Sequence, residues 1–355
     1  MTSISTGAPF CIGNVAIRNG GDHVFIIAEA GVNHNGDLQL AKRLIRVAAE
    51  AGADAVKFQM FDPDEITTSD GAKAAYQKEY VGDFQSQRQM LRSLALKDSD
   101  FAELSRFAHD ARIEFLVTPF DARSARFLLS LGVAAIKIGS GEITNLPFLR
   151  AVAELHVPVI LSTGMSTLGE VEEALRIFQS AGSPTALLHC VSSYPTPSQE
   201  VNLRAMDTML SAFGVPVGFS DHTAGQEIAF AAAARGAAII EKHFTVDRNL
   251  PGPDQKASLE PSELRQLVQG VRRITAALGT GYKMRQLCEE DAAKVSRRSI
   301  VLLKAKRAGE RIALEDLAIR RPGFGIAPKY LEMVVGRRMG KAVATDTVLT
   351  WDLLE

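Results

Sequence analysis

Two hydrophobic rhythms alternate along the first 280 residues of the chain. Short apolar runs rich in β-branched residues recur at 24–30 (VFIIAEA), 55–59 (AVKFQ), 114–119 (EFLVTP) and 135–140 (AIKIGS). Four more follow at 158–163 (PVILST), 185–190 (TALLHC), 217–222 (VGFSDH) and 238–244 (AIIEKHF). Between them, apolar residues return every three or four positions, as in 38–51 (LQLAKRLIRVAAEA), 99–111, 167–180 and 225–235. Strands of nearly continuous apolar character, each followed by an amphipathic helix, predict a parallel sheet covered by helices. Eight units of such even length favour closure into a (β/α)8 TIM barrel over an open doubly wound sheet.

Two stretches break the rhythm. Residues 61–98 are too long for an ordinary strand-to-helix connection and predict an active-site loop carrying a short helix. Beyond about residue 280 the chain turns polar, then carries strand-like runs at 299–305 (SIVLLKA) and 341–350 (KAVATDTVLT). The predicted organisation is a barrel over 1–283, a linker over 284–295 and a small β-rich domain over 296–355. A domain of that size is marginal alone, so it is expected to dock on a barrel.

Composition narrows the function classes. A hydrophobic content of 46% excludes general disorder. With 40 basic against 41 acidic side chains, the net charge of −1 argues against a nucleic-acid partner. The best candidate for a membrane span, 228–240 (IAFAAAARGAAII), is short and broken by Arg235. The opening MTSISTGAPFCIGN lacks the basic start and apolar stretch of a secretory signal. Cys11, Cys190 and Cys288 are too few and too scattered for a disulfide framework. A cytoplasmic location is expected.

The chemistry gathers at the strand ends, which form the working face of such barrels. Polar or ionisable groups stand there at Glu29, Lys57, Gln59, Thr118, Lys137, Ser140, Glu142, Ser162, Thr163 and His189. Ser220, Asp221, His222, Lys242 and His243 complete the set. So many polar groups at one end are costly to bury unless they meet a ligand or one another. His222 and His243 close neighbouring strands one βα unit apart, so both imidazoles can reach one point and suit a divalent metal acting as Lewis acid. Lys57 or Lys137 could form a Schiff base. Together with Ser140, Ser162 and Ser220 they suit an anion bearing phosphate and carboxylate. Taken singly, each serine fits a helix or strand cap. Glu29 and Glu142 could each deprotonate water or face positive charge, and each could equally pair with Lys57 or Lys137.

The residues also resemble a known family. IIAEAGVNHNGD (26–37), AVKFQ (55–59), TPFD (118–121), IKIGSGE (136–142) and ILSTGM (160–165) are similar to segments of sialic acid synthases. So are LLHCVSSYPTP (187–197), GFSDHT (218–223), EKHFT (241–245) and PGPDQKAS (251–258). RRPGFGI (320–326) resembles the signature of that family's C-terminal antifreeze-like (SAF) domain.

The resemblance implies condensation of phosphoenolpyruvate with an N-acylated aldose, with C–O cleavage and release of inorganic phosphate. It implies a divalent metal ion (Mn²⁺, Mg²⁺ or Co²⁺) on His222 and His243. Lys57, Thr118, Lys137, Ser140, Ser162 and Ser220 would hold phosphoenolpyruvate, and Gln59, Tyr194 and Asp254 the open-chain sugar. Glu142 would act at the tetrahedral intermediate with Glu29 nearby. Arg321 would reach over a partner's barrel in a domain-swapped homodimer. N-acetylmannosamine is the first expected acceptor, giving N-acetylneuraminate. Ser192 stands where some sialic acid synthases place Asn against the ligand, so 2,4-diacetamido-2,4,6-trideoxymannose, giving N,N′-diacetyllegionaminate, is the alternative. A Schiff-base aldolase on Lys57, Lys137 or Lys242 and an ice- or glycan-binding module on an inactive barrel are the competing classes.

Overall fold

A computed structural model describes residues 10–68 and 86–355. The chain divides into two units, Met1–Gly279 and Thr280–Glu355. In the first, a hairpin of β1 (Phe10–Ile12) and β2 (Val15–Ile17) precedes eight strands. These are β3 (Phe25–Gly31), β4 (Ala55–Met60), β5 (Glu114–Pro119), β6 (Ile136–Ile138), β7 (Val159–Ser162), β8 (Thr185–Cys190), β9 (Val217–Asp221) and β10 (Ile239–His243). They pair in parallel in the order β5-β4-β3-β10-β9-β8-β7-β6. β5 and β6, the two ends of that order, lie side by side and close the ring. The predicted TIM barrel is therefore the observed fold.

Local sequence explains the helices between the strands. Leu38–Ala51 starts on the Asp37 carboxylate, which accepts from the Gln39 and Leu40 amides, and stops at Gly52 with φ +83°. Leu168–Ser180 starts on a reciprocal cap between Thr167 and Glu170. In the long connection after β4, helices span Pro63–Ile66 and Gln87–Leu94. The rest of that predicted loop, 69–85, and the opening residues 1–9 lie outside the described residues. Among the described residues no helix is long and apolar enough to cross a membrane.

Side chains alternate across each strand with period two. Ile26, Val56, Val117, Ile136, Leu161, Leu187, Phe219 and Ile240 pack outward in the sheet–helix core. Ile27, Ala55, Leu116, Ala135, Ile160, Leu188 and Ile239 fill the barrel interior with Phe10, Ile12 and Ile17 of the hairpin. The remaining strand, β9, contributes Gly218 to this inner layer. A Cβ there would lie 2.4 Å from the Ile239 carbonyl and 2.7 Å from Leu188 Cδ2, so only glycine fits. The amino end of the barrel is thus sealed by apolar packing. The hairpin that seals it has strands of three residues, too short to announce themselves by periodicity.

The second unit holds an antiparallel sheet of β11 (Ser299–Leu302), β12 (Leu317–Arg320) and β13 (Thr347–Val348), in the order β12-β11-β13. Its core is Ile300, Leu302, Ile312, Ile326, Val334, Met339 and Leu349. Within the polar segment read as a linker, Glu290–Ser296 is helical.

Candidate active site

Two residues further along each barrel strand, the inward face changes from apolar to polar. Glu29, Lys57, Thr118, Lys137, Ser162, Cys190, Ser220 and Glu241 stand there, one per strand and none more than 5% exposed. Lys57 Nζ lies 2.5 Å from Glu29 Oε2, 3.1 Å from Thr118 Oγ1 and 3.7 Å from Glu241 Oε2. Lys137 Nζ donates to Ser162 Oγ at 2.7 Å and to the Ile138 carbonyl at 3.2 Å, and stands 3.7 Å from Glu241 Oε1. The Ser220 hydroxyl donates to Glu241 Oε1 at 2.7 Å.

Burial and charge compete differently at each group. Burial would lower Lys57, but Glu241 and Glu29 outweigh it and hold the ammonium above its ordinary range. At Lys137 burial wins and pulls the amine below its ordinary value. Burial would raise Glu241, yet Lys137, Lys57 and the Ser220 hydroxyl hold its carboxyl at about 2. Burial pushes Glu29 up in spite of Lys57.

The next layer outward carries the histidines. His222 Nδ1 lies 2.7 Å from the Val191 carbonyl, which can only accept, so Nδ1 holds the proton and the Nε2 lone pair turns inward. The Tyr194 hydroxyl is 2.7 Å from His222 Nε2 and 3.4 Å from His243 Nε2, so both nitrogens converge on one point. His243 Nδ1 is buried without a hydrogen bond, and burial with His222 beside it keeps this imidazole neutral, well below its ordinary range. Burial would lower His222, but Cys190 and the Val191 carbonyl outweigh it and raise that imidazole. The convergent Nε2 atoms of the two rings fit a divalent ion, which would displace any proton on His222. Among the described residues no three His, Cys, Asp or Glu side chains cluster to hold one. The fit is therefore to an open two-imidazole site, with oxygen from substrate or water completing it.

Around this centre, Gln59 Nε2 donates to Glu29 Oε1 at 3.3 Å. Ser140 Oγ accepts from the Gly164 amide at 2.9 Å. A Cβ at Gly164 would lie 2.3 Å from Ser192 Oγ and 2.8 Å from Ser140 Oγ, so Ser192 sits beside the Ser140 hydroxyl at the β6–β7 side. Glu142 is half-buried on the turn after β6 and accepts from Asn145 Nδ2 at 2.7 Å, outside the lysine network. Asp254 is buried on the connection after β10, and burial with the Glu29 carboxylate pushes it up to about 6. Arg321 is exposed on the turn after β12 of the second unit.

Strand alternation corrects part of the sequence reading. Lys242, Asp221, His189 and Thr163 end strands but point away from the interior. Lys242 Nζ donates to Asp221 Oδ2 at 2.7 Å and to the Thr223 carbonyl at 2.8 Å. Lys242 is therefore no candidate for a Schiff base in this pocket. Glu241 and Cys190, which polarity at the strand ends does not single out, complete the ring. Parity was the available signal, since Glu241 shares the face of His243 and Lys242 does not.

The sequence profile of the NeuB family matches residues 44–283 and that of the SAF domain residues 297–355. The chain belongs to the NeuB family. This NeuB-family chain is 46% identical to the N,N′-diacetyllegionaminic acid synthase of Legionella pneumophila, over 93% of this chain and 94% of that protein. It is 33% identical to the human N-acetylneuraminate-9-phosphate synthase, over 95% and 94% of the two chains. A solved N-acetylneuraminic acid (sialic acid) synthetase from Leptospira borgpetersenii, in complex with citrate, superposes with a TM-score of 0.71 at 40% identity. That match covers 80% of this chain and 95% of the other. The NeuB-family chain is thus an enzyme of the sialic-acid-synthase type.

Proposed function

We propose that the chain condenses phosphoenolpyruvate with 2,4-diacetamido-2,4,6-trideoxymannose and water, giving N,N′-diacetyllegionaminate and inorganic phosphate. One observation carries the reading: Lys57 and Lys137 stand in one buried ring with Thr118, Ser162 and Ser220, beside Ser140. Ammonium and hydroxyl groups in that density complement a small anion bearing phosphate and carboxylate. The acceptor moves away from N-acetylmannosamine because the relative named for diacetyllegionaminic acid is 46% identical, against 33% for the human N-acetylneuraminate-9-phosphate enzyme. The Leptospira structure named for N-acetylneuraminic acid, at 40%, supports N-acetylmannosamine as the second reading.

In this reading the ring fixes phosphoenolpyruvate with C3 toward the sugar aldehyde. Gln59, Tyr194 and Asp254 orient the open-chain acceptor, and in a homodimer Arg321 of one protomer closes over its partner's barrel. His222 and His243 hold a divalent ion, whose contribution when bound is to polarise the aldehyde. The C2=C3 π pair forms the new C–C bond as the aldehyde C=O π bond opens and its oxygen takes up a proton, and C2, left electron-poor, takes a water molecule, which releases one. Glu142, free of the lysine network, accepts the proton of that water or faces the positive charge at C2. Collapse of the tetrahedral centre breaks the C–O bond to phosphate and leaves the keto acid.

The test is phosphate release with each sugar in turn. Faster turnover of the diacetamido sugar is expected. A preference for N-acetylmannosamine would reverse the acceptor assignment, and turnover of neither would remove the condensation reading itself.

A further inference from the structure

Six buried side-chain polar atoms among the described residues lack a hydrogen-bond partner. Three belong to the site: Glu29 Oε2 (which is ion-paired with Lys57), Glu241 Oε2 and His243 Nδ1. The other three are Asn33 Oδ1, His34 Nε2 and Asn35 Oδ1, in consecutive residues just after β3. Unpaired buried polar atoms are costly, and stability alone would not select this tripeptide. The amide N–H groups of the same asparagines show what they do instead.

Asn35 Nδ2 donates to the Pro251 carbonyl at 2.7 Å. Asn33 Nδ2 donates to Ser258 Oγ at 2.9 Å and to the Phe244 carbonyl at 2.8 Å. Ser258 Oγ in turn donates to the Asp254 carbonyl at 2.7 Å. From the other side, Gln255 Nε2 donates to the Asn33 carbonyl at 3.0 Å, and its Oε1 accepts from the Thr245 hydroxyl. Gly252 allows the approach, because a Cβ there would lie 2.8 Å from Asn35 Oδ1. The segment 251–258 is thereby pinned at Pro251, Gln255 and Ser258, and Asp254 sits between the pins. The pinning turn continues β3, the strand that carries Glu29.

We propose that Asn33 and Asn35 are positioning residues that hold Asp254 in register with Glu29 at the acceptor end of the pocket. This inference rests on the reading of Asp254 as an acceptor contact. The residues act through Asp254 and touch neither substrate.

Asn35→Gly is the sharpest probe. Asn35 has φ +51°, a conformation glycine adopts freely, so the variant removes the amide without straining the backbone. Its partner carbonyl lies at an exposed position where water can replace the lost donor. The KM for the acylamino sugar should rise about tenfold, the loss expected for one such hydrogen bond, with the KM for phosphoenolpyruvate unchanged. In an Asp254→Asn background the same substitution should add nothing to the acceptor KM. A parallel rise in both KM values, or full additivity with Asp254→Asn, would overturn the proposal. Amide hydrogen exchange supplies an arm without substrate: exchange across 251–258 should quicken in Asn35→Gly. Unchanged exchange overturns the latch even if wild-type protein turns over no acylamino sugar, a result that would itself remove only the proposed function.

Discussion

Glu241 stands 3.7 Å from Lys57 and, through its other oxygen, 3.7 Å from Lys137, a single buried carboxylate between two buried ammonium groups. Removing one partner of such a set leaves uncompensated charge and typically costs about 3–5 kcal/mol. Glu241→Gln should therefore lower Tm sharply in anion-free buffer. Phosphoenolpyruvate or inorganic phosphate should restore more stability to the variant than to the wild type, because the anion replaces the missing charge. Thermal melts across a phosphate titration check this; equal increments in both proteins would contradict it.

Gly31 makes a second prediction. It occupies a register irregularity in β3 with φ +53°, and a Cβ there would crowd Glu29 Oε1 at 3.3 Å, His243 Cε1 at 3.4 Å and Gln59 Nε2 at 3.5 Å. Gly31→Ala should cost about 1–2 kcal/mol for the left-handed conformation. Turnover should fall further than that, by about tenfold, because the buried Glu29 carboxylate must give way to the new methyl between it, His243 and Gln59. Denaturation and steady-state rates on one preparation would show it, and a variant that loses stability with full turnover would refute it.

Much of this was legible before any coordinates. Apolar runs and helical periods located all eight barrel strands, and the polar strand ends marked the end of the barrel that holds the buried charged ring. The decisive detail lay one level below, in the parity of each strand. Lys242 and Glu241 are adjacent in sequence and equally polar, but only Glu241 points inward. An inventory of strand ends does not separate them; counting back by two from His243 does. Asn33 and Asn35 show no role in the sequence, because their bonds run to residues more than 200 positions away. The hairpin β1–β2 and strand β12 are too short to show a period.

His222 and His243 divide the two enzymatic readings. If they hold a divalent ion, chelator should abolish phosphate release and added Mn²⁺ should restore it. His222→Ala and His243→Ala should each lose activity by about a thousandfold or more with the fold retained by circular dichroism. Borohydride should trap no adduct on Lys57 or Lys137. Chelator-resistant turnover together with a trapped lysine adduct would favour the Schiff-base route, for which the lowered Lys137 amine is the suitable nucleophile.

Asp254 carries the pH prediction. Its carboxyl is raised from 3.8 to about 6 by burial and by Glu29. The folded protein therefore holds a proton that the unfolded chain releases between these values, and stability falls as pH rises from about 4 to about 6. Above that window the ionised, buried carboxylate costs up to about 3 kcal/mol. Asp254→Asn removes the cost, so the variant should be more stable than wild type at pH 7.5 and nearly equal to it at pH 4. Its acceptor KM should rise while the KM for phosphoenolpyruvate holds if, as proposed, Asp254 contacts the sugar. Urea unfolding at the two pH values, paired with the two KM measurements, tests both halves. A variant destabilised at pH 7.5 would mean that Asp254 is held there by partners that favour its charge, and the assignment of a strained functional carboxyl would fall.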